Sequence, residues 1–585
     1  MGSPLPTTAK HLEPLHVPSR SHKAWRSILL AIAGLLAVYC LANGTSFHFR
    51  TRWTTARYPD LYEAGIEELQ QGMQRGLFTA EDLVRAYIAR IDEVNHKGAE
   101  LHAVQEISPS AIKHAKQSDA ERARGFVRGP MHGIPVLLKD NLATRYEDGM
   151  NTTAGSYALL GSVVPRDATV TAKLREAGAI FLGKTAQCEW SCARGELPGS
   201  WSGRGGIVYN PYYPKGDPCG SSSGSGVAAA IGLAAITIGT ETDGSITCPA
   251  NNNNLAAIKP SLGLTSRKGV IPIMEHQDTV GPLTRNLRDA AIVLSVIAGR
   301  DVADNYTLAQ PEVVPDYLAE LDRKSLQGVR IGVPRKVFMN ATITKWHTSV
   351  EPTFNAALAK LEELGATIID PADFVNAYEM LDFFRTQRVI GPTDMKYNLE
   401  TYFSELAHVP TGVRTVEDLV AFNNAHRELE RPPTFESQYY LEGLSGRERN
   451  STYYEQLELV HRMVGVEGMD RTMRDHKLDA MVLPAMGFTT TVPARLGYPI
   501  ITVPMGFHPE DTEPVANKWG VVDPAPGLPM GLSFLGKAFT EVQLLNFAYA
   551  YEQATQFRLK RKAYAAAIPK TQLKDIVGCK WWWIC

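Results

Sequence analysis

The stretch GSSSGSG at 220–226 runs without a break into VAAAIGLAAITIG at 227–239. Flexible glycine-serine linkers are not continued by long runs of small and apolar residues, so a linker is excluded here. Small side chains in that number let backbones approach closely, which places this part of the chain in a core. A chain of 585 residues with 44% hydrophobic and 21% charged residues can bury such a core and is too apolar for disorder. Sixty basic against 62 acidic side chains leave a formal charge of −2, without the basic excess that would draw the chain to nucleic acid. The cysteines are Cys40, Cys188, Cys192, Cys219, Cys248, Cys579 and Cys585. Their small, odd number excludes a disulfide framework as the source of stability.

Helix and strand signals alternate along the rest. Thr79 and Asp82 form a start like a capping box, and Val84, Tyr87, Ile88 and Ile91 then repeat on one helical face. Val170, Leu174 and Ala177 lie at helical spacing, Gly178 stops that helix, and 179–182 reads as a strand. The same phrase recurs as Phe354, Leu358 and Leu361, then Gly365, then a strand at 367–369. Residues 329–333, 480–483 and 500–503 read as further short buried strands. This alternation predicts an α/β fold whose sheet is covered by helices on both faces. No composition shift divides 58–565, which reads as one large domain, with 566–585 as a C-terminal tail. The tail ends in a Trp-rich run, and Trp582 at the fourth position from the end rules out a prenylation box.

Residues 1–57 read as a leader. Within it, 28–42 (ILLAIAGLLAVYCLA) carries no charge and follows Arg20, Lys23 and Arg26. At 1.5 Å per residue it falls short of a hydrocarbon core of about 30 Å. Its length suits a signal peptide cleaved near Ala42, giving a secreted protein. The long leader before it fits a single-pass signal anchor better, with the basic side cytoplasmic and membrane contact through 28–42. A buried core helix is the plainest alternative. Sequons at Asn43, Asn151, Asn305, Asn340 and Asn450 add modest support for a secretory route and a glycoprotein.

Three segments carry candidate chemistry. Gly220-x-Ser222-x-Gly224 matches a nucleophile elbow, but that motif needs a strand before it, and NPYYPKGDP at 210–218 is not one. GTETDGS at 239–245 is turn-rich and can aim successive backbone N–H groups at one point, as an oxyanion hole requires. Lys139 ends the apolar GIPVLL at 133–138 and precedes Asp140 and Asn141. A lysine at a strand end is ordinarily a solvated surface charge. His-based triads, HExxH helices and CxxC pairs find no match in the sequence. Cys188 and Cys192 stand four apart; with no further ligands beside them, two small buried residues are favoured over a metal or redox pair.

Together, GIPVLLKDN at 133–141, CGSSSGSGVAAA at 219–230, GTETDGSITCPA at 239–250, KPSLGL at 259–264 and GPLTRNLRDA at 281–290 resemble the amidase signature family. The likeness extends more loosely from about residue 58 to GLPMGLSFLG at 527–536. It implies a large mixed, twisted β-sheet covered by helices on both faces. It implies hydrolysis of a carboxylic amide through an acyl-enzyme, releasing ammonia or an amine, without metal or cofactor. By the same resemblance Ser245 is the nucleophile, Ser221 a bridging serine in a cis peptide, and Lys139 the base. Serine attacks only once a base takes its proton, and lysine is a base only where burial keeps it neutral. Backbone N–H groups of Thr242, Asp243, Gly244 and Ser245 would form the oxyanion hole, with Ser222 helping to orient Ser221 or serving structure.

The chain departs from the family at two positions. Asp243 stands where glycine is common, and a carboxylate there opposes a developing negative charge unless it is paired or turned away. Thr247 stands where many members carry arginine. Both departures bear on substrate preference more than on reaction type. The expected partner is a small-molecule amide, with no nucleic acid. The alternative is the tRNA-amidating member of the family, the A component of a multisubunit glutamyl-tRNA amidotransferase complex, which shares these motifs; a non-catalytic binding module is a third reading. Aromatic residues from Phe374 to Tyr454 pack a core in the ordinary case, and would favour an aryl or lipid-like acyl group if they line a channel.

Overall fold

The computed structural model describes residues 58–386 and 388–578. The leader at 1–57 with its apolar segment 28–42, the sequon at Asn43 and the Trp-rich end at 579–585 lie outside the described residues. Among the described residues no helix is long and apolar enough to cross a membrane.

Strands form where short apolar runs are bounded by turn residues. They are β1 (Val104–Ile107), β2 (Pro135–Lys139), β3 (Ile180–Thr185), β4 (Trp201–Ser202), β5 (Gly206–Ile207), β6 (Ile236–Glu241) and β7 (Ala256–Lys259). The series continues with β8 (Thr279–Thr284), β9 (Arg330–Gly332), β10 (Thr367–Ile369), β11 (Ala480–Pro484), β12 (Ile500–Phe507) and β13 (Pro529–Leu535). Eleven of them make one sheet in the order β1-β3-β2-β6-β8-β7-β12-β13-β11-β9-β10, while β4 and β5 pair separately. β2 runs parallel to β3 and β6, the run from β6 to β11 is antiparallel, and β9 is parallel to β11 and β10. The sheet is therefore mixed. β2, β3, β6, β7, β8, β11 and β13 are buried along their whole length, as strands must be when helices cover both faces.

The expected elements fall close to their places. A helix spans Ala80–Val94, and its start is a true capping box: Asp82 N–H donates to Thr79 Oγ1 at 3.1 Å, and Thr79 N–H donates to Asp82 Oδ2 at 3.0 Å. The helices Thr169–Glu176 and Val350–Glu363 precede β3 and β10. The run after Gly220 becomes the helix Ser223–Ala230, buried at every position. A side chain at Gly224 would strike the carbonyl of Ala103 and the backbone of Ala186, so this helix packs backbone to backbone against its neighbours. Ser225 Oγ closes the contact by donating to the Ile238 carbonyl in β6 at 3.1 Å.

The expectation of a separate tail from 566 is corrected for residues 566–578. Ala567 and Leu573 are buried in the main core. Arg90, buried inside the helix Ala80–Val94, donates to the carbonyls of Ile231 and Gly232 and to those of Pro569 and Thr571. A buried guanidinium needs such acceptors, and the C-terminal segment supplies half of them. Glu63 pairs with Arg558 nearby, and Leu61 N–H donates to Gln572 Oε1 at 2.9 Å.

Candidate active site

Because β2, β3 and β6 are parallel, their carboxyl ends share one edge of the sheet, the edge where open α/β sheets bind ligands. Lys139 ends β2, Thr185 ends β3 and Glu241 ends β6. Residues 242–245 continue directly from β6.

Lys139 is not a solvated charge: it is 0% exposed. Its Nζ donates to Ser221 Oγ at 2.7 Å, to Thr240 Oγ1 at 2.9 Å and to the Thr240 carbonyl at 3.3 Å. Asn141 Nδ2 donates to the same Thr240 hydroxyl at 2.9 Å. No carboxylate lies within ion-pair distance of this amine among the described residues. Burial lowers the pKa of Lys139 to about 7, while the charges of Asp278 and Glu241 act in the opposite direction.

Ser221 is fully buried and follows a cis peptide bond from Gly220. Its carbonyl accepts from Cys188 N–H at 3.1 Å. Ser222 is buried too, and its hydroxyl donates to the Thr240 carbonyl at 3.1 Å and accepts from Thr240 N–H at 3.3 Å. Its hydroxyl is thus engaged on β6. Its N–H also donates to the Ser245 carbonyl at 3.2 Å, which ties the two serine-bearing segments together.

Ser245 is 7% exposed, the outermost of Lys139, Ser221 and Ser245. Among the described residues the backbone N–H groups of Asp243, Gly244 and Ser245 have no acceptor, and Gly244 takes a φ of 83°, a conformation suited to glycine. Glu241 fixes the far side of the turn: its Oε2 accepts from Ile246 N–H and Thr247 N–H, both at 2.8 Å. Thr242 Oγ1 donates to Asp278 at 2.6 Å, and the Thr242 carbonyl accepts from Gln277 Nε2 at 3.0 Å. The Asp243 carboxylate accepts from Thr490 Oγ1 at 2.7 Å, so the negative charge beside the free N–H groups is held by a partner.

The structure corrects the reading of the cysteines. Cys219 and Cys248 form one disulfide and Cys188 and Cys192 another. Cys219 precedes Gly220, and Cys248 lies three residues past Ser245, so the first bond joins the segments of Ser221 and Ser245 covalently. Cys188 and Cys192 meet because Trp190 and Ser191 between them take left-handed backbone conformations, with φ of 50° and 54°. Cys192 is exposed rather than buried.

Thr240, Glu241 and Asn141 lie inside the quoted motifs, but nothing in the motifs marks them out from their neighbours. Asp278, Gln277 and Thr490 come from distant segments with no motif to mark them. The aromatic residues mostly pack cores: Phe374 and Phe383 sit in one cluster, Tyr402 and Phe403 in the other, and Tyr453 donates to Asp394.

A family model described as Amidase matches residues 82–545. A relative from Arthroderma benhamiae, an amidase by assignment, is 40% identical over 548 residues, covering 89% of this chain and 90% of its own. The native peptide amidase of Stenotrophomonas maltophilia has a similar structure, with a TM-score of 0.76 and 38% identity across 87% of this chain and 99% of that one. A component of the glutamyl-tRNA(Gln) amidotransferase of Moorella thermoacetica is 30% identical, covering 87% of this chain and all of its own. The chain belongs to the amidase family. It is an amidase, an enzyme that hydrolyses carboxylic amides.

Proposed function

We propose that hydrolysis proceeds through an acyl-enzyme at Ser245, with Ser221 as proton relay and Lys139 as base. The observation that carries this reading is the 2.7 Å contact between a buried lysine amine and a buried serine hydroxyl. Ser245 Oγ attacks the amide carbon while its proton passes to Ser221 Oγ and the Ser221 proton passes to neutral Nζ. The carbonyl oxygen, now negative, accepts from the N–H groups of Asp243, Gly244 and Ser245. The proton then returns by the same relay to the leaving nitrogen, the C–N bond breaks, and ammonia or an amine departs. Water repeats the sequence on the ester and frees the acid. Labelling by a fluorophosphonate tests the reading: adduct mass on Ser245, lost in Ser245→Ala, is expected, and labelling of Ser245→Ala at the wild-type rate overturns it.

The likeness to peptide amidase structures supports peptide amides as one substrate class. A secretory route through 28–42 is supported by the two disulfides, which persist in oxidising compartments. Of the described sequons, Asn305 and Asn450 are exposed, whereas Asn151 donates its Nδ2 to Glu106. Membrane sedimentation of the full chain, compared with a chain lacking 1–57, checks the anchor.

A further inference from the structure

The two ends of the described chain come together at one place on the fold. Asp60 Oδ1 accepts from Gln572 Nε2, and Gln572 Oε1 accepts from Leu61 N–H, both at 2.9 Å. Ala563 N–H donates to the Tyr62 hydroxyl at 2.9 Å, and Arg558 pairs with Glu63. Residues 60–63 thus border 558, 563 and 572, close to where the described chain begins at 58 and ends at 578. In sequence, both ends continue into apolar segments. The uncharged run 28–42 lies upstream, and Lys580 is followed by Trp581, Trp582, Trp583 and Ile584 downstream. Tryptophan favours the level at which a bilayer meets water, because its ring is apolar and its N–H is polar.

The surface at this place is basic. Residues 557–578 carry six basic side chains and one acidic, Asp575. Arg558 and Arg561 are spent on Glu63 and Glu510. Lys560, Lys562, Lys570 and Lys574 are exposed, and among the described residues none of them forms an ion pair. Aromatic rings hold two of these side chains: Lys560 lies over Phe557 at 3.8 Å and Lys562 over Tyr62 at 5.3 Å. The bordering carboxylates are turned to backbone N–H groups. Asp60 accepts from Tyr62 at 3.0 Å, Glu93 from Lys570 at 2.6 Å and from Thr571 at 3.0 Å, and Asp575 from Gln572 at 2.8 Å. Leu559 stands among the cations with 61% of its surface exposed.

We propose that this face docks on an anionic bilayer surface, with Lys560, Lys562, Lys570 and Lys574 over the headgroups and Leu559 and residues 581–584 in the interfacial layer. Unpaired lysines complement acidic headgroups, and apolar side chains beside them add the burial that charge alone does not give. The long lysine stems can lie along the interface while their amines stay in water. An acidic protein would use the same lysines but gives no role to the tryptophan run, so the bilayer is the occupant that accounts for both. The proposal does not depend on the chemistry at Ser245. It holds equally for a chain that keeps 28–42 and for one cleaved near Ala42, because the basic face and the tryptophan run remain in either.

The test acetylates lysines on the full chain in the presence of vesicles and reads each site by peptide mass spectrometry. Phosphatidylcholine vesicles are compared with vesicles in which about a third of the lipid is phosphatidylserine. Labelling of Lys560, Lys562, Lys570 and Lys574 is expected to slow about threefold or more on the anionic vesicles, and high salt is expected to remove the protection. Exposed Lys477 serves as the reference and labels equally on both. A chain held on the vesicle by 28–42 alone labels its four lysines at the same rate on both lipids, and that result overturns the proposal. Protection by soluble polyglutamate without protection by anionic vesicles overturns it too, in favour of an acidic protein. In the same assay the joint variant Trp581→Ser, Trp582→Ser and Trp583→Ser is expected to lose at least half of the protection, with amide turnover kept as evidence of folding. Full protection in that variant removes the tryptophan run from the interface and overturns the proposal as stated.

Discussion

Three lysines are buried in β2, β3 and β7 of the same sheet, and only one of them touches a serine. Lys184 in β3 donates to the Leu142 carbonyl at 2.5 Å and to Thr152 Oγ1 at 2.9 Å. Lys259 at the end of β7 donates to the Tyr498 carbonyl at 2.6 Å. Burial lowers both to about 8, against the pull of Asp140 and Glu106 on Lys184 and of Glu241, Glu541 and Asp243 on Lys259. Lys139 is lowered to about 7 by the same cause. Loss of water alone therefore makes all three weak holders of a proton. What separates Lys139 is its neighbour: Ser221 stands in the segment tied to Ser245, whereas Lys259 meets a carbonyl oxygen, which can only accept a proton, and the Thr152 hydroxyl beside Lys184 is turned to the Leu142 carbonyl.

The comparison is broken or sharpened by substitution. Ser245→Ala lowers kcat about a millionfold, as loss of a nucleophile does in comparable hydrolases. Lys139→Met costs about a hundred- to ten-thousandfold, the range for a positioned base, whereas Lys184→Met and Lys259→Met change the melting temperature and leave kcat per folded molecule near the wild-type value. Equal losses of kcat in all three lysine variants, measured with active-site titration, end the distinction. Opening the bond between Cys219 and Cys248 with a dithiol, or replacing both by serine, lowers kcat about tenfold and stability by about 3–4 kcal/mol for a loop of that length. Opening Cys188–Cys192 costs less stability, because its loop spans a separation of only 4 residues.

The pH dependence carries a sign. In the proposed relay the working form of Lys139 is the neutral amine, so kcat/KM is expected to rise with pH through about 7. Asp278 raises that pKa, so Asp278→Asn moves the rising limb to lower pH; a limb displaced upward contradicts the assignment. The smallest effect belongs to Asp243→Asn, about two- to threefold faster acylation, because the carboxylate is already bonded to Thr490 and exposed to screening water.

Much of this is legible in the sequence wherever the signal is local. The capping box at Thr79, the strand at 367–369 and the burial of the small-residue run after Gly220 follow from spacing and side-chain size. The segments bearing Lys139, Ser221 and Ser245 are marked by their motifs. The contacts that set their electrostatics are not, because Asp278 and Thr490 reach the site by tertiary packing and leave no periodic trace. Cys188 and Cys192 escape for a related reason: their pairing depends on two left-handed residues, a backbone choice that Trp190 and Ser191 do not advertise.

Arg90 places a constraint on how the enzyme is made. Its guanidinium draws on carbonyls at 231 and 232 and again at 569 and 571. A chain cut before residue 569 has half of that ring missing, which leaves a buried cation without two of its four acceptors. The helix Ala80–Val94 and the segment at 569–571 thus act as one clamp, so damage to the second is felt by a helix 479 positions earlier.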